Sequence, residues 1–555
     1  MTEPNDEFDV IVVGGGAGGL TAAVTAADRG ASVLLLEKAN RLGGTTRKSV
    51  GAVWLPNNRF LRSEGLVDDR DAVLRYLARL SRPTRFDPRH RCLGLPDWEY
   101  EGLAAFVDNA AIAHESLEAM GALKLASSRE IGVVDYLGHL PEDECPSGRT
   151  LYPATAKGGR SGGQELVDGL AGAARARSVD IRLERPVTGV LTDDGGRVAG
   201  VRYATPDGTG HTALARFGVV FGSGGFAHNE DLRQQFLGGP PMYSCAATTN
   251  TGDFLPIAAG LGAHLGNMCE AWLAPICIER ALREPDDVFS AFYILGDAMM
   301  VVNRQGFRVA NEKAPYNERA RAFTIWDERR LEYLNSPLIA IWDQVDAETW
   351  AMDALGNPIP PVDEPDPYWV ATGSDLGELS ANIDARLAKL GPAVGYARLA
   401  PDFVQNLSMT FERFGEFAED GVDQDFGRGE TPFERYVSRR FGEGTGRNPM
   451  LRRPSPVGPY YATLLGLGAL DTKGGPRTDR TGAVRHAMGG TIPGLFAVGN
   501  CAASPLGQGY PGAGATLGPI ITSGFLTGRH LGDLARQGEK SRPVPAAGPP
   551  ADAAS

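Results

Sequence analysis

A glycine pattern near the start of the chain restricts its folding more than any other feature. Residues 8–13 (FDVIVV) form a short apolar run, as expected of a buried parallel strand. Gly14, Gly16 and Gly19 follow directly, and the sequence after them, LTAAVTAADRGA, has helical spacing. A second strand, SVLLLEK, completes a βαβ unit of about thirty residues. This order of elements predicts a doubly wound α/β domain that binds a dinucleotide.

Each glycine of this turn has a separate task in dinucleotide binding. Gly14 permits the tight turn, Gly16 lets a pyrophosphate approach the backbone, and Gly19 lets the helix pack on the strand. The helix N-terminus then offers free N–H groups and a favourable dipole to the phosphates. Glu37 ends the second strand, 21 residues after Gly16, and its carboxylate suits a ribose diol. The alternative is a glycine-rich turn without a ligand.

The fingerprint by itself does not distinguish FAD from NAD. Three further segments favour FAD: RLGGTT at 41–46, GSGGF at 222–226 and IPGLFAVGN at 492–500. The last one is an apolar strand that ends in Gly-Asn close to the C-terminus. A nucleotide-binding domain in two sequence pieces, closed by such a strand, resembles the glutathione-reductase-type flavoprotein fold.

The composition of the chain changes between these two pieces. Residues 276–450 are richer in charged and aromatic residues and include helical patterns, whereas glycine-rich, strand-like sequence returns afterwards. We therefore predict an α/β fold in which residues 1–275 and 451–535 form a Rossmann-like FAD-binding domain. Residues 276–450 are predicted to form an inserted α+β substrate and catalytic domain. Residues 536–555, rich in Pro, Ala and Ser, are predicted to be a disordered tail.

Overall composition excludes several classes of protein. A hydrophobic content of 42% and a charged content of 22% are close to globular averages and argue against a disordered or fibrous chain. A net charge of −13 without a basic block argues against nucleic-acid binding, because phosphate contacts need clustered Lys and Arg. Six cysteines without C-x-x-C spacing and eight scattered histidines predict neither a disulfide framework nor a metal site. This cysteine usage favours a cytoplasmic protein.

One uncharged stretch, residues 10–27, approaches the minimum length of a membrane span. Five glycines cluster in its middle and its first half is β-branched, so we interpret it as a strand, a turn and the start of a helix. No spanning segment is predicted, and the acidic start of the chain does not resemble a secretory signal. Peripheral contact with a membrane stays open.

Several longer segments resemble one family of flavoproteins. They are GGTTRKSVGAVWLPNN at 43–58, FGSGGFAHNEDLRQQFL at 221–237, NTGDFLPIAAGLGA at 250–263, NRQGFRVANEKAPYNE at 303–318, DFGRGETPFERY at 425–436, LDTKGGPRTD at 470–479 and GNCAASPLGQGYPGAGATLGP at 499–519. On these segments the chain resembles the fumarate reductases and succinate dehydrogenases, and within that family the 3-ketosteroid Δ1-dehydrogenases. The resemblance extends over nearly the whole chain except the tail.

The resemblance implies an enzyme with FAD as its cofactor. Succinate dehydrogenases hold their flavin covalently on a histidine, but the first histidine here is His90, so a non-covalent FAD is expected. The His and Arg segments that bind dicarboxylates in fumarate reductases are not found, which argues against a C4-dicarboxylate substrate. The residues expected to contact FAD are Gly14, Gly16, Ala17, Gly18, Gly19, Glu37, Lys38, Gly43, Gly44, Thr45, Thr46, Gly51, Gly224, Gly225, Asp253, Gly499, Asn500, Gly514, Ala515, Thr516 and Leu517.

The resemblance also implies α,β-desaturation of a cyclic ketone, typically a 3-ketosteroid, with a quinone-like electron acceptor. A hydride leaves one ring carbon for the flavin, and a base removes a proton from its neighbour. The proton becomes acidic only when hydrogen-bond donors polarise the carbonyl. In the resembling enzymes, the Tyr hydroxyl and the second Gly N–H of a Y-P-G-A-G motif are these donors, which here are Tyr510 and Gly514. The alternative for Tyr510 is a packing role.

The base in the resembling enzymes is a tyrosine after an N-E-x-x-P-Y segment, which is Tyr316 here. An ordinary tyrosine titrates near pH ~10, so it needs assistance to accept a proton at neutral pH. In the family a third tyrosine assists through a hydrogen bond; Tyr136 is the candidate and Tyr152 its rival. A structural role is the alternative for Tyr316 and Tyr136.

Two other functions stay open at this point. A related desaturase or enoate reductase could act on a different cyclic ketone or steroid position. Asp297 and Arg308 are expected near the pocket, and a polar pocket would suit a smaller or acid-bearing substrate. A non-catalytic flavin-binding or NAD-binding protein is the alternative from another class, and the three tyrosines argue against it.

Overall fold

A computed structural model of the chain describes residues 6–155, 159, 161–351, 359–360, 367–441 and 448–540. Within these residues, the strands are β1 (Asp6–Val13), β2 (Val33–Leu36), β3 (Val53–Trp54), β4 (Leu125–Ser127), β5 (Thr150–Pro153), β6 (Asp180–Arg182), β7 (Val187–Thr192), β8 (Val198–Ala204), β9 (Gly210–Phe221), β10 (Met242–Ser244), β11 (Leu265–Gly266), β12 (Ala271–Cys277), β13 (Met300–Val302), β14 (Trp326–Asp327), β15 (Glu332–Tyr333), β16 (Leu338–Asp343), β17 (Ala371–Gly373), β18 (Tyr460–Thr472), β19 (Gly475–Pro476), β20 (Ala483–Arg485) and β21 (Thr491–Ala497).

The α-helices of the same residues are α1 (Ala17–Asp28), α2 (Gly44–Lys48), α3 (Arg59–Ser63), α4 (Arg70–Ser81), α5 (Asp97–Ala119), α6 (Gly162–Ala176), α7 (Glu230–Leu232), α8 (Phe254–Gly260), α9 (Ile278–Arg283), α10 (Tyr316–Arg319), α11 (Gln344–Trp350), α12 (Leu376–Leu390), α13 (Phe403–Asp420), α14 (Pro432–Phe441) and α15 (Leu517–Lys540).

The larger sheet contains the glycine fingerprint. Its strands follow the order β20-β21-β9-β1-β2-β6, and β21, β9, β1, β2 and β6 are parallel to one another. The antiparallel hairpin β7–β8 joins the sheet through β9. The apolar runs of β1 and β2 are buried, as in a parallel sheet that is covered on both faces. The predicted α/β fold, with its nucleotide-binding sheet drawn from two separate pieces of the sequence, is therefore confirmed.

The ends of three parallel strands touch one another at the carboxyl edge of this sheet. Gly14 has φ +103°, and a Cβ there would lie 2.5 Å from the carbonyl oxygen of Gly222. A Cβ on Gly19 would overlap the carbonyl oxygen of Gly14, so α1 packs directly on the turn that precedes it. The Gly222 N–H donates to Val13 O and the Gly14 N–H to Leu36 O, both at 2.8 Å. The glycines are thus required by close backbone approach.

The second sheet is built around the long strand β18. Strands β10, β12, β16 and β17 pair directly with β18, and β13 pairs with β16. This sheet draws chain from both sides of the limits 276 and 450, because β10 and most of β12 precede the first limit and β18 follows the second. The boundaries of the substrate domain stay a prediction, since the change in composition on which they depend does not report strand pairing.

Residues 10–27 form most of β1, the glycine turn and most of α1, as interpreted from the sequence. In the described part of the chain, no helix has the length and apolar character needed to cross a membrane, and no cluster of His, Cys, Asp or Glu is arranged to hold a metal ion. The six cysteines are free thiols. Helix α15 includes residues 536–540 of the predicted tail, and the rest of that tail, 541–555, lies outside the described residues.

Helices α1 and α15 pack with their backbones almost in contact. A Cβ on Gly524 would lie 2.5 Å from the carbonyl oxygen of Gly18, and a Cβ on Gly528 would overlap the carbonyl oxygen of Ala22. Small residues four apart on α15 therefore form the face that lies against α1. This contact fixes the last helix next to the glycine fingerprint.

We expect Gly528→Ala to lower the free energy of unfolding by about 1–3 kcal/mol, because the added methyl forces the two helices apart. Thermal denaturation of the purified holoprotein measures this as a lower Tm. Gly172→Ala on the exposed face of α6 is the matched control. Nothing lies within 4 Å of its Cβ position, and the better helix propensity of alanine should stabilise by about 0.5–1 kcal/mol. Equal stability of the two variants would contradict the close packing.

Candidate active site

A cavity of about 90 Å³ opens where β1, β2, β9 and β21 end. Crevices at the carboxyl ends of parallel strands are the usual ligand sites of such sheets. The N-terminus of α1 begins at this cavity and directs its dipole towards it. The predicted cofactor residues in its walls are Gly14, Gly16, Ala17, Gly18, Glu37, Lys38, Gly43, Gly44, Thr45, Thr46, Gly224, Asp253, Gly499 and Asn500.

The carboxylate of Glu37 is fixed in the wall of this first cavity. Its Oε2 accepts the N–H of Gly15 at 2.7 Å, and its Oε1 accepts the N–H of Ala39 at 2.8 Å. A carboxylate has further lone pairs, which can accept a ribose hydroxyl. Lys38 and Asp253 also line the cavity, but they bind each other at 2.7 Å.

Four predicted cofactor residues line neither this cavity nor the one beside it: Gly19, Gly51, Gly225 and Ala515. Gly19 and Gly51 instead lie where a Cβ would overlap neighbouring backbone. The Gly225 N–H donates to Asp471 at 3.2 Å, and Ala515 is buried. These residues shape the backbone behind the walls, and direct contact with the cofactor stays a prediction for them.

A second cavity, of about 170 Å³, shares part of its wall with the first. Thr45, Thr46, Asp471, Asn500 and Ile520 line both. A dinucleotide whose pyrophosphate lies on the glycine turn would therefore extend its far end into the second cavity. The glycine cradle, the helix N-terminus and Glu37 fit the ADP part of FAD. Gly514, Thr516 and Leu517, which are also predicted to contact the cofactor, line the second cavity.

The second cavity brings together the three tyrosines predicted to be catalytic. The ring centroids of Tyr136 and Tyr316 lie 5.5 Å apart, and each lies 5.4 Å from the ring of Tyr510. All three pairs meet edge to face, an arrangement that aromatic quadrupoles favour. Phe433 packs on Tyr136 at 4.8 Å and Trp272 on Tyr510 at 5.1 Å. Residues from distant parts of the chain thus form one aromatic cluster.

The phenol of Tyr136 donates a hydrogen bond to the hydroxyl of Tyr316 at 3.2 Å. Burial raises the pKa of both phenols well above the ordinary value. Burial also raises the pKa of Tyr510 to about 12, although hydrogen bonds with Tyr316 and Thr516 act in the opposite direction. Tyr152, the rival of Tyr136, lies on β5 in the wall of the same cavity.

One backbone carbonyl ties two of these tyrosine segments together. Pro511 O accepts the N–H of Tyr136 at 2.8 Å and the hydroxyl of Tyr76 at 3.2 Å. Pro511 follows Tyr510 directly, so this carbonyl sets the spacing between Tyr510 and Tyr136. Tyr76, on α4, is fully buried and supports this carbonyl without lining the cavity.

Gly514 adds a backbone donor to the cavity wall. Its φ is +89°, and a Cβ there would lie 2.5 Å from the backbone of Ala52 and Val53. The Gly514 carbonyl accepts the N–H of Trp54 at 3.1 Å. Among the described residues, no acceptor takes the Gly514 N–H. This N–H is therefore available to a ligand.

A buried ion cluster anchors the segment that carries Tyr136. The Arg149 guanidinium is fully buried and pairs with Asp68 at 2.8 Å, Asp135 at 2.6 Å and Asp143 at 2.7 Å. Burial raises the pKa of Asp135 to about 8, although Arg149 acts in the opposite direction. Since Asp135 precedes Tyr136, the cluster fixes the backbone at the tyrosine.

A second buried cluster supports the segment that leads to Tyr316. Arg308 pairs with Glu312 and Asp423, both at 2.7 Å. Asp297 lies 3.7 Å from Lys313. Neither Asp297 nor Arg308 lines the second cavity, although the sequence placed both near the pocket. Each lies close to an oppositely charged side chain outside the cavity wall, so neither residue makes the pocket polar.

Sequence reasoning assigned no role to three residues that line the cavities: Asn250, Trp272 and Lys48. Asn250 donates to Asp471 at 2.7 Å and to Thr45 at 3.1 Å, and Trp272 Nε1 donates to Asn500 at 3.1 Å. Lys48 lines the second cavity. Asn250 and Lys48 lie in segments that carried the family resemblance, which was the available signal. Trp272 lies on β12, which belongs to none of the sequence segments that carried the resemblance.

The carboxyl of Asp471 lies where the two cavities meet. It accepts Asn250 Nδ2 at 2.7 Å, Asn500 Nδ2 at 3.0 Å and the Gly225 N–H at 3.2 Å. Burial raises its pKa to about 6, and these donors act in the opposite direction. Asp471 therefore holds together three turns that surround the cofactor site.

Two curated proteins are similar to this chain over nearly its whole length. A 4-oxocyclohexanecarboxylate 2-dehydrogenase from Sinomonas cyclohexanicum is 35% identical over 95% of this chain and 93% of its own length. A 3-oxosteroid 1-dehydrogenase from Mycobacterium tuberculosis is 31% identical over 95% of this chain and 99% of its own length.

Two solved structures show the same fold. The 3-ketosteroid Δ1-dehydrogenase of Sterolibacterium denitrificans, in complex with 1,4-androstadiene-3,17-dione, aligns with a TM-score of 0.80 at 27% identity, over 96% of this chain and all of its own. The open form of a flavocytochrome c3 fumarate reductase aligns with a TM-score of 0.66 at 21% identity, over 96% of this chain and 79% of its own, which concerns the fold alone.

The family model described as an FAD binding domain matches residues 9–517, which is most of the chain. Its span includes the glycine fingerprint, the second sheet and the three tyrosines. The chain therefore belongs to the FAD-binding-domain family of flavoproteins, and it is an FAD-dependent oxidoreductase with the fold of fumarate reductases and steroid dehydrogenases.

Proposed function

We propose that this protein is a dehydrogenase that introduces a double bond into a cyclic ketone, next to its carbonyl group. The observation that carries the proposal is the cluster of Tyr136, Tyr316 and Tyr510, with the backbone N–H of Gly514, in a cavity that shares part of its wall with the dinucleotide cavity. FAD, when bound, supplies the acceptor for the hydride. The residues of the chain supply the ketone clamp and the base.

The ketone clamp consists of the Tyr510 hydroxyl and the Gly514 N–H. Both groups belong to the same turn and line the same cavity. Two donors aimed at a carbonyl oxygen stabilise the negative charge that develops there as the neighbouring carbon loses its proton. The aromatic surroundings exclude water, so each hydrogen bond has more effect than it would in solvent.

Tyr316 is the proposed base, and it takes the proton from the carbon beside the carbonyl. The Tyr136 hydroxyl donates to the Tyr316 oxygen, which is the orientation that an assisting group for this base would need. The fixed distance between the hydroxyls favours Tyr136 over Tyr152 for this assisting role.

The FAD is proposed to be bound non-covalently. No histidine is found among the described residues that line either cavity. The glycine turn and Glu37 offer hydrogen bonds and close backbone contact, which suffice for a bound dinucleotide. A quinone-like compound is retained as the proposed electron acceptor.

Two classes of substrate fit this chemistry. The first is a 3-ketosteroid, desaturated at the Δ1 position, as the names of the Mycobacterium and Sterolibacterium relatives indicate for those proteins. The second is a smaller ring ketone, as named for the Sinomonas relative. In the reverse direction, the same clamp with protonated Tyr316 would reduce an enone.

The test is an anaerobic titration of the yellow holoprotein with a 4-ene-3-ketosteroid and, separately, with 4-oxocyclohexanecarboxylate. Bleaching of the flavin, together with a product two hydrogens lighter by mass spectrometry, supports desaturation and identifies the better substrate class. A flavin that stays oxidised with both ketones overturns the proposal.

Tyr316→Phe should lower kcat by roughly 10²–10⁴-fold, because it removes a positioned base while keeping the ring in the aromatic cluster. The FAD content, measured from the flavin absorbance, should stay at the wild-type level. Tyr396→Phe is the control, since Tyr396 is exposed and lies away from both cavities. Normal turnover by Tyr316→Phe would exclude Tyr316 as the base.

The rate of desaturation should rise with pH. The base acts in its deprotonated form, and burial raises the pKa of Tyr316 above its ordinary ~10. The active fraction is therefore small at neutral pH and increases up to that pKa. A kcat profile from about pH 6 to about pH 9.5 measures the rise.

Tyr316→Phe is also the control for the pH profile. Asp471, whose pKa burial raises to about 6, and Lys473, whose pKa burial lowers to about 7, titrate in the same range. Both remain in the variant, so only a rise caused by Tyr316 disappears. A wild-type profile without this rise would argue against a tyrosine base.

A further inference from the structure

We propose that Lys48 binds a carboxylate on the substrate, so that the substrate is a ring ketone that also carries an acid group. The inference rests on the proposed ketone chemistry and narrows its substrate class. Lys48 is the last residue of α2, and its side chain lines the second cavity together with the three tyrosines.

Lys48 is the one cationic side chain among the described residues that line this cavity. Asp471 is the other charged residue there, but its carboxyl is occupied by N–H donors from neighbouring turns. The remaining walls are aromatic, aliphatic or neutral polar. An anionic substrate group would therefore have a single charged partner in the cavity.

The ammonium of Lys48 is held by neutral acceptors. Its Nζ donates to Ala246 O at 3.1 Å and to Pro285 O at 3.0 Å, and an ammonium has three protons. No carboxylate in the described part of the chain forms an ion pair with it. Asp286 and Asp287 are exposed and act on it only at longer range, as does Arg41.

Two other lysines of the molecule lie close to a carboxylate, and a third is held by carbonyl oxygens as Lys48 is but does not line the cavity. Lys38 pairs with Asp253 at 2.7 Å, and Lys313 lies 3.7 Å from Asp297. Lys473 is fully buried between Gly507 O and Gly509 O, and does not line the cavity. Burying part of a cation without a counter-ion is costly. Burial accordingly lowers the pKa of Lys48, and a bound carboxylate would supply the missing charge.

The two polar features of the cavity come from different segments. The ketone clamp lies in the turn after Tyr510, whereas Lys48 is hydrogen-bonded to carbonyls that follow β10 and α9. A ring with an oxo group and a carboxylate would use both features. The name of the Sinomonas relative's substrate contains these same two groups.

The test compares 4-oxocyclohexanecarboxylate with its neutral methyl ester. Wild-type holoenzyme should show kcat/KM for the acid that is roughly 10- to 100-fold above that for the ester, the range of a charge-assisted hydrogen bond. Lys48→Met should bring this ratio towards one, and Lys48→Arg should keep most of it. Arg47→Met on the same helix is the control, because Arg47 pairs with Asp168 and does not line the cavity. It should keep the wild-type ratio.

Equal kcat/KM for acid and ester in the wild type, or an unchanged ratio in Lys48→Met, would overturn the proposal. Loss of FAD from Lys48→Met with retention in Arg47→Met would also overturn it, because Lys48 would then hold the cofactor.

A binding measurement separates this proposal from the proposed function. Cyclohexanecarboxylate has no ketone and cannot be desaturated by this route, but it should perturb the flavin spectrum of the holoenzyme on binding. Lys48→Met should weaken this binding roughly 10-fold or more. If neither ketone is turned over but this difference holds, the ketone chemistry fails and the Lys48 site stands. If ketones are turned over and the difference is missing, the Lys48 site fails alone.

Discussion

Direct backbone contact at the carboxyl edge of the parallel sheet is the constraint on which the site depends. Gly14 lies against Gly222, and Gly19 lies against Gly14, at distances that leave no room for a side chain. The contact brings the ends of β1, β2 and β9 together at the cavity where α1 begins. Asp471 then ties the neighbouring turns to this edge through Asn250 and Asn500. The second cavity, in which the chemistry is proposed, begins at Asp471 and Asn500, which line both cavities.

The catalytic proposal depends on a cluster that belongs to no single element. Tyr136, Tyr316 and Tyr510 precede or begin short turns, and none lies on a long helix or strand that would hold it rigid. Their positions are held by contacts outside the cavity. Pro511 O joins the segments of Tyr510 and Tyr136, and the buried ion clusters around Arg149 and Arg308 fix the backbone that leads to Tyr136 and Tyr316. Removing one partner of such a buried cluster leaves an uncompensated charge and is strongly destabilising. The charged side chains of these two clusters therefore do not line the cavity, whose wall beside the tyrosines is largely aromatic.

Because most charged side chains near the tyrosines do not line the cavity, the presence of Lys48 in its wall points to a ligand with negative charge. Arg149 and Arg308 pair with carboxylates, and Asp297 lies 3.7 Å from Lys313; none of these three residues lines the cavity. Arg319 and Lys473 are also held by carbonyl oxygens, but among the described residues Lys48 is the cation that lines the cavity itself. The sequence shows Lys48 next to Arg47 and offers no reason to separate them. The fold separates them, because one points to Asp168 at the surface and the other to the cavity.

The sequence by itself determined the α/β class, the FAD-binding fold and the identity of the residues along the dinucleotide cavity. The nucleotide-binding unit is encoded locally, because its strand, glycine turn and helix lie within about thirty consecutive residues. The preference for FAD came from three further segments, at 41–46, 222–226 and 492–500. The family resemblance also named the three tyrosines. Only the tertiary structure decided that they meet, that β18 joins a second sheet with strands from both sides of the predicted domain limits, and that Asp297 and Arg308 do not line the cavity. Strand pairing and the direction of a side chain depend on residues far apart in the chain, and spacing along the sequence does not record them.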